Sequence, residues 1–186
     1  YRELEIAFEQ NPFNVWAFNT LVALDKDFKK GELARRETEH FVIHYAPGSA
    51  DARDIDLIAA EHEFAWARLE SLTGSAPEAP MTSFIYPSPE LKAVLFGAGN
   101  VEVSLPWKRQ MYLRHLPYPH RVMHHELAHA FGAPSGDRVV GLSTQWSWRG
   151  PVLNGGLIEG WANALAPRSA YGLDLHDQAA VLQRLD

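Results

Sequence analysis

Within thirteen residues, His120 to Gly132, the sequence "HRVMHHELAHAFG" sets four histidines and a glutamate. His125 and His129 are four apart, so on a helix they share one face with their Cβ atoms about 6 Å apart. Two imidazoles so placed can reach one metal ion. Glu126 lies about 100° further round the helix, where it can reach a water on the metal without being a ligand. Two ligands and a general base on one turn form the H-E-x-x-H arrangement, and the chemistry they suit is metal-assisted hydrolysis. His124 stands five before His129, out of register, and is given no metal role. His120 is read as framing the stretch.

The neighbours of this motif are uncharged: Val122 and Met123 before it, Leu127 and Ala128 within it, Ala130 and Phe131 after it. That pattern suits a helix in a domain interior, where unpartnered imidazoles and a carboxylate are costly and a cation removes the cost. Pro119 suits the start of the helix, and Gly132 and Pro134 its end. Zinc hydrolases usually offer three protein ligands and leave a position for water. The chain has no cysteine, so the third ligand is His, Asp or Glu. Ser135 stands where a longer motif would place a third histidine. A later helix, "GLIEGWANAL" (156–165), offers Glu159 among Leu157, Ile158, Trp161, Ala162 and Leu165. A carboxylate in that setting wants a cation, and Gly160 is expected to let this helix approach its neighbour.

The chain that must position these groups has 186 residues, 46% apolar and 22% charged, as expected of a soluble globular protein. A net charge of -6 argues against nucleic acid or anionic membrane as the main partner. No apolar run approaches the roughly 20 residues that span a bilayer. The compartment stays open, with an extracytoplasmic bacterial location as a working expectation. The chain opens mid-helix without Met and ends within an apparent helix, and is read as a fragment of a longer protein.

Residues 1–30 read as a helical hairpin broken at Asn11-Pro12, followed by a charged link from Lys26 to Glu39. "HFVIHYA" (40–46) alternates as a strand. Residues 52–73 form an amphipathic helix stopped by Gly74. "TSFIYP" (82–87), "VEVSL" (101–105) and "QMYLRHL" (110–116) suit strands, and 89–96 a helical turn. The stretch 133–156 reads as a loop or hairpin near the site mouth, a lid or substrate wall.

"AFEQNPFNVWAFNTLVAL" resembles the junction of two tetratricopeptide repeats, which implies a possible protein partner for the N-terminal helices. "EHFVIHYAPG", "VMHHELAHAF" and "LIEGWANAL", in that order, resemble the glutamate-zincin (gluzincin) metallopeptidases, and more narrowly the bacterial peptidase MA-like domains. The resemblance implies an α+β, zincin-like catalytic domain over 38–186, truncated at its C-terminus. It further implies one Zn2+ per chain held by His125, His129 and Glu159, with Glu126 as base and a peptide or protein as substrate. Asn163 matches a position from which some members steady a ligand histidine. The family usually stabilises the oxyanion with a Tyr or His; Tyr171 is the leading candidate here, with His176 and Tyr112 behind it. The strand "RQMYLRH" (109–115) stands where the family places the edge that pairs with an extended peptide.

Two departures accompany the resemblance. His129 and Glu159 are 30 positions apart, more than is usual. "GAGNVE" (97–102) lacks the Met-Glu that grips a free amine in the aminopeptidase branch, leaving Glu102 alone near that place. The alternatives are a catalytically inactive zinc-binding interaction module and a hydrolase of non-peptide substrates.

Overall fold

In the computed structural model, residues 6–7, 9–11, 33–120, 122–137, 144–148 and 150–166 are described. Most of the N-terminal hairpin lies outside them, as do Tyr171 and His176. The described residues form an α+β unit. Strands β1 (Ala34–Glu37), β2 (Phe41–Tyr45), β3 (Met81–Tyr86), β4 (Val103–Leu105) and β5 (Gln110–Arg114) make one sheet in the order β1-β2-β3-β5-β4. The three central strands are parallel, and β1 and β4 run antiparallel at the two edges. Helices α1 (Ala50–Arg53) and α2 (Ile55–Thr73) join β2 to β3, and α3 (Pro89–Phe96) follows β3. Helix α4 (Met123–Gly132), a hairpin of β6 (Thr144–Ser147) and β7 (Gly150–Leu153), and α5 (Gly155–Leu165) complete the order.

Alternation along the strands divides the sheet into two faces. Phe41, Ile43, Met81, Ile85, Met111 and Leu113 face the core, with Ile58, Trp66 and Leu69 of α2 and Met123, Leu127 and Phe131 of α4. On the other face, rings stack in a row from His44 through Phe84 and Tyr112 to Phe96 of α3. The metal motif is thus carried on the face shared by α2 and α4. Strand β1, "ARRE", falls within the stretch expected to be a charged link. Its side chains are mostly exposed, and an edge strand tolerates such charge because only one side needs a partner.

His62 on α2 is fully buried between the helix and β3. Its Nδ1 meets the Ile58 carbonyl at 2.8 Å and its Nε2 the Ser83 hydroxyl at 3.0 Å. Burial lowers its pKa to about 4, with the Ile58 carbonyl opposing. Above pH 6.5 the ring is neutral in both folded and unfolded chains, and folding is indifferent to pH here. Below that, the unfolded chain gains a proton that the folded one refuses until about pH 4. Stability therefore falls as pH drops through this window, by about 3 kcal/mol in all. Urea unfolding at pH 7 and pH 4.5 measures the loss, and His62→Gln should flatten it.

Candidate metal centre

The start of α4 is fastened to both of its neighbours. The His120 backbone N–H donates to Glu61 Oε1 of α2 at 2.8 Å. Its ring Nε2 meets the Arg114 carbonyl of β5 at 3.1 Å, and its Nδ1 accepts from the Met123 N–H at 3.0 Å. That imidazole caps the helix, which is why α4 begins at Met123 and not at the proline. His124 turns toward α2, with Nε2 3.5 Å from Glu61 Oε1 and its ring edge-on to Phe64. Neither histidine reaches the motif face.

His125 and His129 do meet. Their Nε2 atoms are 3.2 Å apart, with the rings nearly perpendicular. Glu159 of α5 approaches both: Oε2 lies 3.3 Å from His125 Nε2, and Oε1 3.7 Å from His129 Nε2. Four-coordinate zinc, with bonds of about 2.0–2.1 Å to N and O, requires ligand atoms about 3.4 Å apart. The three donors match that requirement and are of types zinc accepts. Burial and the neighbouring His125 lower the pKa of His129, which favours the neutral imidazole that a metal would need. The Glu159 side chain is 60% exposed, so the site opens to solvent on that side.

Glu126 is buried beside these groups, and its ligand atom lies within 4.8 Å of those of both histidines. Burial, then the nearby carboxylates of Glu102 and Glu159, push its pKa up to about 8; Lys92 and the Ser104 backbone N–H oppose this. A carboxyl so crowded by negative charge marks a place suited to a cation. Strand β4 packs against α4, beside Glu126. Among the described residues β4 pairs only with β5, while β5 lies between β3 and β4. The expected edge strand at 109–115 is therefore corrected: the edge above the motif is β4.

Glu102 is not free to grip an amine. Its Oε1 accepts from Arg114 Nε at 2.6 Å, its Oε2 from the Arg114 N–H at 3.0 Å, and Lys92 Nζ stands 3.6 Å away. Lys92 is fully buried and also donates to the carbonyls of Ala98, at 3.0 Å, and Val101, which clamps the loop leading into β4. Tyr112 is excluded as an oxyanion donor near α4. It lies on the opposite face of the sheet, stacked between Phe84 and Phe96 and donating to Gln110 Oε1 at 2.7 Å. Asn163 is half-buried on α5 and makes no hydrogen bond to either ligand histidine among the described residues.

The close helix approach occurs at a different glycine from the one expected. No atom of a neighbouring element lies near a Cβ built at Gly160, whereas one at Gly132 would sit 3.0 Å from the Trp161 indole. Gly132 has right-handed helical angles, φ -77 and ψ -22, so it is not a left-handed stop; a 3-10 turn at Ala133–Ser135 continues the chain. The long connection to α5 contains the β6–β7 hairpin, whose turn carries Trp148 at 88% exposure and needs glycine at Gly150, φ 111. Sequence reasoning had not singled out Lys92, Ser104 or Glu61, because none stands in a motif. Compared with protein-family models, curated proteins and solved structures, the chain matches none of them.

Proposed function

We propose that this protein is a zinc-dependent hydrolase of gluzincin type, acting most directly on peptides. The observation that carries the reading is the convergence of His125, His129 and Glu159 at ligand spacing; Glu126 brings a carboxylate oxygen within 4.8 Å of both histidines and is assigned the role of base, not ligand. A zinc ion, when bound, supplies Lewis acidity toward a carbonyl and brings the pKa of water down from about 15.7 toward 7. Glu126 takes the proton from the attacking water and delivers it to the leaving amine. The outer edge of β4 offers backbone N–H and C=O groups to an extended peptide, which gives affinity and orientation without reading side chains. Tyr171 stays the proposed oxyanion donor.

A structural zinc site has no use for a buried general base or an open coordination position. That favours an enzyme over a zinc-binding interaction module. The test is elemental analysis followed by a panel of peptide and ester substrates. The expected result is one zinc per chain and cleavage of peptides that stops on chelation. Bound zinc with no turnover would support the module, and ester cleavage alone would support a non-peptide hydrolase.

A further inference from the structure

Among the described residues, the contacts of Glu159 are the two imidazoles it would join in holding zinc. Its side chain is 60% exposed, so local packing does not fix it. Its place depends on how α5 is seated. Ala162 is the one fully buried residue of that helix. At about 100° per residue, Glu159 and Trp161 fall on opposite sides of Ala162, so they straddle α4. Trp161 Nε1 donates to the Ala128 carbonyl at 3.1 Å. Its indole lies over Gly132, which is three residues after His129 and seven after His125 and so shares their face. A Cβ at 132 would meet Cδ1 and Nε1 at 3.0 Å, so the indole would have to shift by a few tenths of an ångström to admit it. Trp161 is 37% exposed, and a hydrogen bond plus a glycine notch define its position more closely than burial does.

We infer that Trp161, seated in the notch at Gly132, is a positioning residue: it sets the register of α5 on α4 that brings Glu159 to His125 and His129. The inference rests on the zinc site proposed above. Zinc affinity is measured by competition with a chromophoric chelator, and ligand geometry by the visible spectrum of the cobalt(II) form. The proteins are wild type, Trp161→Phe, Gly132→Ala, Glu159→Gln and the Trp161→Phe/Glu159→Gln double variant. Trp161→Phe, which keeps a ring but loses the donor, should weaken zinc binding about 10–100-fold, as the loss of a ligand's supporting contact does. Its cobalt spectrum should move toward that of Glu159→Gln, and the double variant should lose little more than Glu159→Gln alone.

Gly132→Ala carries the same expectation if Trp161→Phe fails to fold. Helix propensity favours alanine there, so weaker binding in that variant cannot come from a weaker helix. Wild-type affinity and spectrum in both variants would overturn the inference. So would weaker binding with an unchanged cobalt spectrum, which is the mark of general destabilisation. Zinc binding unaffected by Glu159→Gln, or absent from the wild type, would overturn the zinc site and this inference together.

Discussion

Glu126→Gln should leave one zinc per chain and lower turnover by about 10²–10⁴-fold, the usual contribution of a positioned general base. The amide has the shape of the carboxyl, so the burial of this side chain is kept. It cannot take a proton from water. Metal content and kcat on a peptide the wild type cuts separate the two roles. Loss of zinc would make Glu126 a ligand, and unchanged kcat would remove it from the chemistry.

The second large effect is thermal. Zinc returned to chelator-treated protein at about a thousandfold over its Kd should add about 4 kcal/mol of stability. For a chain of this length that raises Tm by roughly 8–16 °C. The gain requires that the folded chain bind the ion and the unfolded chain not, which a site drawing its donors from two helices provides. His129→Ala should abolish most of the shift while leaving the zinc-free Tm within a few degrees, since His129 is not part of the apolar core. Calorimetry of both proteins with and without zinc gives the answer. A full shift in His129→Ala would mean that zinc binds elsewhere.

Much of this arrangement is legible in the residues. The i, i+4 histidines and the carboxylate within an apolar run depend only on local periodicity, and the structure brings them together. The alternation of Phe41, Ile43, Met111 and Leu113 likewise predicts which side chains face the core. What was not legible depends on neighbours distant in sequence. "ARRE" has no apolar alternation, because an edge strand beside β2 does not need it. Which of two short strands forms the edge is decided by pairing, and β5 reads as an edge until β4 is seen beside it. The importance of Gly132 over Gly160 is set by an indole 29 positions away in sequence. Tyr112 looks available until the face it points to is known. His120 reads as a framing residue, and only the folded loop shows it capping the helix.

The three proposed ligands are unequally held. His125 and His129 ride on a helix with seven buried residues, whereas α5 adds to the core one fully buried residue, Ala162, and the partly buried Leu165, and is held besides by the Trp161 contact and the hydrogen bond from Arg68 Nη1 to the Leu165 carbonyl at 2.6 Å. A helix that places fewer side chains in the core opens at a lower free energy than one built into it. If zinc binds as proposed, amide exchange should slow more along α5 than along α4. By the same reasoning, metal release from the proposed site should be limited by the opening of α5, with the two-histidine helix keeping a half-site when Glu159 withdraws.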